Sequence, residues 1–567
     1  MFSTLPTDYH VFLPWTWAQI EPYYRNLIAR PIDAASVAGW LADWTRISKT
    51  VNEQYARLQV ASTLNTADEQ AERAYHALLG EVLPHMEEAE QQLKQKLLAS
   101  GLEPAGMEIP LRNMRTEAEL FRAANLPLIM EQRKLGMQYN KIVGAQTVHW
   151  QGQEMTLTRL RPVTTDPDRA QREAAWRLAS DRWLADRAAI DALWRQAIPL
   201  RQQIAQNADH ADFRSYSWRN LQRFDYTPDN CLEFHAAIES VVVPAATRIY
   251  DRARRRLGVD TLRPWDLDQD RNPIDLPALY PFRDGAELIE KTAAIFAHVD
   301  PQLGEYYTTL RREGLLDLDN RKGKAPGAYC TEFLITARPF IFMNSVGVRD
   351  DVRTMLHESG HAFHVFETAH LPYFQQLQVT MEVAEVASMA MELLAAPYLS
   401  EQHGGFYAGA DYARDRVEHL ERIILFWPYM AMVDALQHWV YTDPNGSDPA
   451  ACDAQWVELA QRFMPGVDWS GLNEALMTGW HRKQHIHRSP FYYVEYGLAQ
   501  LGAVQVWRNA LSDQAGALTA YRRALSLGAT TSLPEFYATA GAKFAFDAGT
   551  LREAVELIET TIAQFEA

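Results

Sequence analysis

The residues best equipped for chemistry are His357, Glu358 and His361, within the run His357-Glu-Ser-Gly-His361. On an α-helix, residues four apart lie one turn apart, so both imidazoles leave the same face and can bind one metal ion. Glu358 flanks that face. It is expected beside the water that such an ion holds rather than on the ion, where a carboxylate can take the water's proton. A catalytic zinc site also needs a third protein ligand and an open fourth position.

The elements that must position these groups are legible nearby. Asp350, Asp351 and Arg353 open a helix whose buried side is Val352, Met355, Leu356 and Phe363. A second helix is expected over 379–395, with Glu382, Glu385 and Glu392 set among apolar residues. Carboxylates in the middle of an apolar helix are costly to bury unless paired or metal-bound. Glu385, Ser388 and Glu392 follow i, i+3, i+7 spacing and share a face, which selects Glu385 as third ligand; Glu382, one turn earlier, is the alternative. Glu392 is expected to accept a ring N–H from a ligand histidine. His364 either packs in the core or supports the ligands from behind.

The chain around this motif has 567 residues, 47% apolar and 11% aromatic, which excludes a disordered or fibrous protein. Its net charge of −17 argues against a nucleic-acid partner. The one dense basic cluster, Arg252 with Arg254, Arg255 and Arg256, reads as a solvated helix face. Cys231, Cys330 and Cys452 are far apart and form no CxxC, so neither a disulfide framework nor a thiolate zinc site is indicated. With no basic leader and no apolar run of spanning length, the expectation is a soluble, cytoplasmic protein without a membrane partner.

Helical periodicity covers most of the chain. Thr66 with Glu69 has the pattern of a capping box, and Asp166-Pro167 that of a helix start. Residues 146–160 read as a short hairpin, and 328–333 and 339–344 as strands that precede the motif helix. The Pro- and Asp-rich stretch 258–281 reads as a surface connection. Its Asp266, Asp268 and Asp270 do not make a calcium loop, because Arg271 and Pro277 stand where such a loop needs Gly and Glu.

Beyond these local signals, the chain resembles the thimet oligopeptidase and oligoendopeptidase F family of zinc metallopeptidases, Pz-peptidases included. The resemblance is carried by His-Glu-Ser-Gly-His-Ala-Phe-His (357–364), Glu-Val-Ala-Glu-Val-Ala-Ser-Met-Ala-Met-Glu (382–392) and Pro-Phe-Tyr-Tyr-Val-Glu-Tyr-Gly (490–497). Gly-Lys-Ala-Pro-Gly-Ala-Tyr-Cys (323–330) and Pro-Phe-Ile-Phe-Met-Asn (339–344) add to it. It implies a mainly α fold, a large helical body around a deep substrate channel, with a small β hairpin or sheet beside the zinc helix. An N-terminal helical region over 1–205 would form one channel wall, and 206–567 the catalytic region. It also implies one Zn²⁺ per chain, held by His357, His361 and Glu385, with Glu358 as general base.

For the oxyanion of the reaction, His487, Tyr492 and Tyr496 have family-like His-x4-Tyr-x3-Tyr spacing, and the tyrosines share a helix face. A further tyrosine common in mammalian-type members is Ala499 here. The neighbouring His485 and Tyr493 leave the division between oxyanion donor and peptide binding open. Gly327, Ala328 and Tyr329 correspond to a strand edge that pairs with extended substrate, or else buttress the zinc helix. The expected activity is zinc-dependent hydrolysis of internal bonds in short peptides. A dipeptidyl carboxypeptidase of the same zinc-site type and a non-catalytic peptide-binding scaffold are the alternatives. Oligomeric state is not readable.

Overall fold

The computed structural model describes residues 1–268 and 271–567; Asp270, part of the rejected calcium loop, lies outside them. Helices make up most of the chain. Six of them bear on function: α1 (Val37–Leu64), α2 (Pro228–Ala237), α3 (Arg349–Thr368), α4 (Met381–Ala395), α5 (Gly409–Thr442) and α6 (Tyr493–Ser512). Among the described residues they are accompanied by the strands β1 (Thr147–Trp150), β2 (Gln153–Thr156), β3 (Leu316–Asp319), β4 (Tyr329–Phe333) and β5 (Arg338–Ser345). Among the described residues no helix is long and apolar enough to cross a membrane.

The chain forms two compact units. The first comprises Met1–Ala118, Leu279–Tyr412 and Gly502–Phe544; the second comprises Glu119–Ala278, Ala413–Leu501 and Ala545–Ala567. Both are interleaved in sequence, so neither coincides with the stretches 1–205 and 206–567 read from the sequence.

In the first unit, β5 lies at the centre of a sheet of order β3-β5-β4, parallel to β3 and antiparallel to β4. Phe340 and Phe342 of β5 join Phe333 of β4 against Ala56 and Val60 of α1. The alternate residues Ile341 and Met343 are fully buried on the other face, where α3 packs. Because both faces are covered, β5 reads as an unbroken apolar run rather than an alternating one. The chain leaves β5 through Gly347, whose positive φ of 90° turns it into α3. Asp351 then closes the helix start, its Oδ2 accepting the backbone N–H groups of Val346, Gly347 and Val348 at 2.8, 3.0 and 3.1 Å.

Several expectations change in detail. The strand β3 escapes sequence reading because four residues, Leu-Asp-Leu-Asp, are too few to establish a period. A hairpin forms over Thr147–Thr156, turning at Gln151 and Gly152, both at positive φ, but the last residues of the expected 146–160 stretch begin a helix, Leu157–Thr164, capped by the Thr156 hydroxyl. The helix expected from Asp166-Pro167 starts at Arg169 with Asp168 as cap, and the one expected near Thr66 starts at Glu69 with Asp68 as cap. In each case the aspartate directly before the helix supplies the better-placed oxygen. The 258–281 connection is not wholly superficial: Trp265 and Leu267 are buried, and Asp266 is buried between Arg169 and Arg172.

In this unit α3 packs tightly on α4. A Cβ at Gly360 would lie 2.6 Å from Ser388 Cα and closer still to Ala387 O. That carbonyl already accepts the Tyr521 hydroxyl at 2.6 Å, so α4 cannot easily retreat. Gly360→Ala is therefore expected to overpack the contact and cost about 1–3 kcal/mol. Thermal unfolding should show a lower Tm, and an unchanged Tm would contradict this account of the contact.

Candidate active site

The α3–α4 contact brings the sequence-selected ligands together. His357 and His361 stand one turn apart on α3 with ring centroids 5.0 Å apart. Glu385 of α4 points its Oε2 at both, 3.4 Å from His357 Nε2 and 4.0 Å from His361 Nε2. One ligand atom from each of the three lies within 4.8 Å of the others. Tetrahedral ligands about 2.0–2.1 Å from a zinc ion stand roughly 3.3–3.5 Å apart, so small side-chain adjustments would close the set. The donors fit zinc: two imidazoles and a carboxylate, arranged by rigid helices.

Their surroundings orient them. His357 Nδ1 is hydrogen-bonded to Glu392 Oε1 at 2.8 Å, two helical turns beyond Glu385, which turns Nε2 toward the shared position. Ser388 Oγ donates to Glu385 Oε2 at 3.0 Å. Burial pushes the His357 imidazole down, but Glu385 and Glu392 outweigh it and hold it well above its ordinary value. Burial and the neighbouring His357 lower His361 to about 4. Against burial, His357, His361 and Ser388 hold Glu385 below its ordinary range. Two carboxylates, Glu385 and Glu392, thus converge on two partly buried imidazoles, a concentration of negative charge that a cation would offset.

Glu358 is buried beside this set and raised by burial to about 7. The backbone N–H of Cys330 in β4 donates to it, which ties the candidate base to the edge strand of the sheet. Gly327 and Ala328 are exposed just before that strand, with Asn344 Nδ2 donating to Gly327 O at 2.9 Å. The Tyr329 side chain is engaged within the protein: its ring stacks on Phe342 at 4.8 Å, and its hydroxyl is 2.6 Å from Thr63 Oγ1. Glu382 is buried away from the three-ligand set, and its charge, after burial, raises the Tyr537 hydroxyl. His364 is buried and bonds the backbone of Leu525 instead of a ligand.

The remaining predicted residues belong to the second unit. Tyr496 donates its hydroxyl to that of Tyr492 at 3.2 Å. The imidazole that accompanies them is His485, not His487. Its ring lies 5.7 Å from Tyr492 in parallel stacking, 5.0 Å from Tyr493 and 6.3 Å from Tyr496. His487 is buried between Tyr139 at 4.4 Å and Trp480 at 5.5 Å, with its backbone carbonyl accepting from Arg201. The two histidines share a short helix, Gln484–Arg488, and residues two apart there point about 200° apart, so only one can face the tyrosines.

Residue spacing could not resolve this, because Phe491 interrupts the count with a left-handed φ of 66°. A bulky residue in that region is held only when its surroundings over-determine it. Here its N–H donates to Gln437 Oε1 at 2.7 Å, and Arg223 Nη2 donates to its carbonyl at 2.6 Å and to Glu495 Oε1 at 2.6 Å. Arg223 and Gln437 thereby set where the tyrosines begin, and no local sequence signal marks either one.

Two family models match the chain: Peptidase family M3 over residues 163–556 and the Peptidase M3 N-terminal domain over 12–119. The chain belongs to Peptidase family M3. It is similar to the oligopeptidase PepF of Bacillus subtilis (strain 168), 38% identical over 102 residues, or 17% of this chain and 15% of that protein. A longer segment matches the oligoendopeptidase F homolog of Borreliella burgdorferi, 23% identical over 44% of this chain and 41% of that protein. The chain thus spans well under two thirds of the curated relatives it matches. A solved structure of Pz peptidase A with an inhibitor superposes with a TM-score of 0.86, at 25% identity, over 100% of this chain and 99% of that one.

The Glu392–His357 bond generates a test. Glu392→Gln should keep the fold but weaken zinc binding by about 10–100-fold, measured by competition with a chromogenic chelator. His357→Ala should remove that equivalent of metal altogether. If Glu392→Gln leaves the affinity unchanged, the orienting role assigned to the bond is wrong.

Proposed function

We infer that this chain hydrolyses internal peptide bonds of short peptides in a zinc-dependent reaction. The observation that carries the reading is the convergence of His357, His361 and Glu385, with the buried carboxyl of Glu358 beside them and tied to an edge strand. Membership of Peptidase family M3 supports hydrolysis of peptides as the general activity. In the reading, His357, His361 and Glu385 hold Zn²⁺, which when bound would polarise the scissile carbonyl and acidify the attacking water. Glu358 takes the proton of that water and later delivers it to the nitrogen of the leaving amine.

The edge of β4, with the backbone of Gly327, Ala328 and Tyr329, would pair with an extended substrate and leave its side chains largely unread. The oxyanion role is assigned to Tyr492 and Tyr496, with His485 in place of His487 as the accompanying imidazole; Tyr493 is left to peptide binding. Hydroxyl donors that act on the transition state contribute about 3 kcal/mol each.

Three measurements test these assignments. Glu358→Gln should retain zinc and peptide binding while turnover falls by at least ~10²–10⁴; near-normal turnover would refute the base. Tyr492→Phe or Tyr496→Phe should lower kcat by about 10²–10³ with little change in KM, and His485→Ala should lower kcat more than His487→Ala does. A result reversed between the histidines would restore the spacing-based choice.

For substrate class, a decapeptide blocked at both ends should be cut internally, and casein, native or denatured, should not be digested. Backbone pairing at ~3.3 Å per residue limits reach, so peptides of roughly 5–20 residues should be preferred. Release of C-terminal dipeptides alone would favour a carboxypeptidase instead.

A further inference from the structure

The second unit contains another set of metal-ligating side chains that the hydrolytic reading does not use. Cys231 and His235 lie one turn apart on α2, and Asp434 and His438 one turn apart on α5. All four are buried, Cys231 and Asp434 with no exposed surface at all. One ligand atom from each of Cys231, Asp434 and His438 lies within 4.8 Å of the others. His235 stands outside that trio, and its Nε2 is 2.9 Å from Asp434 Oδ2.

Hydrogen bonding leaves atoms of Asp434 and His438 unaccounted for. Asp434 Oδ1 has no hydrogen-bond partner among the described residues. His438 Nε2 lies at ion-pair distance, 3.2 Å, from Asp434 Oδ2, while its Nδ1 has no hydrogen-bond partner among the described residues. Native interiors seldom leave buried carboxylate and imidazole atoms unsatisfied, and each such atom costs about 1–3 kcal/mol. A cation at the trio would take the Asp434 carboxylate and one ring nitrogen of His438.

We propose that Cys231, Asp434 and His438 bind a second, structural metal ion. A thiolate and an imidazole with only one carboxylate select zinc or a similar borderline ion over calcium or magnesium, which take oxygen ligands. Binding converts the Cys231 thiol to thiolate with release of one proton. His235 donates to Asp434 and fixes its orientation, as partners of ligating carboxylates do.

The placement gives the ion a role. His438 packs 5.4 Å from the ring of Phe491 and 5.4 Å from that of Trp218, and the adjacent Gln437 accepts the Phe491 N–H. Fixing α5 at His438 therefore braces the left-handed residue that launches Tyr492 and α6. This inference stands independently of the hydrolytic reading, because it concerns a different ion.

The test uses the full chain loaded with Co²⁺ in place of zinc. The His357–His361–Glu385 site has no sulfur ligand, so a near-ultraviolet thiolate-to-cobalt charge-transfer band reports the proposed site alone. The band should appear in the wild-type protein at about two metal equivalents per chain and persist in His357→Ala at about one. It should vanish in Cys231→Ser and remain in Cys330→Ser. Asp434→Asn should bind about one equivalent and show no band. A wild-type protein that saturates at a single equivalent without the band overturns the proposal, and needs no variant to fold. A band that survives Cys231→Ser but is lost in Cys330→Ser would equally overturn it.

Discussion

The contact of α3 with α4 at Gly360 governs the rest of the first unit. The two helices approach so closely that the absent side chain of Gly360 is filled by the backbone of Ala387 and Ser388. At that separation a carboxylate on α4 reaches imidazoles on α3 without an intervening residue, and Glu385 sits one turn before the contact. Glu392, two turns beyond Glu385, meets the far nitrogen of His357 for the same reason. One glycine thus fixes both the ligand set and its orientation, and the Tyr521 hydroxyl on the Ala387 carbonyl keeps the spacing from relaxing.

That geometry gathers carboxylates that a protein interior would otherwise reject. Glu358 and Glu385 are buried, and burial opposes the charge of each. Their fates diverge because their partners differ. Glu385 keeps its charge through direct contact with His357 and His361, whereas for Glu358 the charge of His357 and a backbone N–H from Cys330 do not outweigh burial and the neighbouring Glu385, and it rises to about 7. Two glutamates within one cluster are thereby held in different states, a difference that the proposed roles of ligand and proton carrier would require. Environment, not residue type, makes the distinction.

This divides what the sequence reveals from what it conceals. His357, His361 and Glu385 are legible because helical spacing is local and regular, and both helices occur where the periodicity places them. The strands β4 and β5 are legible from their β-branched and aromatic runs, which the structure closes into a sheet with α1 on one face. The third strand is too short to have a period, and the interleaving of the two units depends on contacts between distant segments that no local pattern encodes. His485 and His487 show the limit most clearly. The count from histidine to tyrosine assumes regular backbone, and Phe491 breaks it with a left-handed residue held by Arg223, far away in sequence.

Phe491 and Gly360 solve the same kind of problem by opposite means. At Gly360 a side chain is omitted so that two helices can meet; at Phe491 a side chain is kept in a backbone region that disfavours it, at a cost of about 1–3 kcal/mol, so that a helix can begin in a particular direction. The cost has to be met by contacts that exist only in the folded state: the Gln437 amide oxygen, the Arg223 guanidinium, and the packing of the ring against Trp218, His438 and Tyr441. Those contacts are buried and directional, so the tyrosines that follow inherit a fixed starting point. A hydroxyl placed by such a start needs little reorganisation to meet developing charge, and this is the condition under which a hydrogen-bond donor favours a transition state over a ground state.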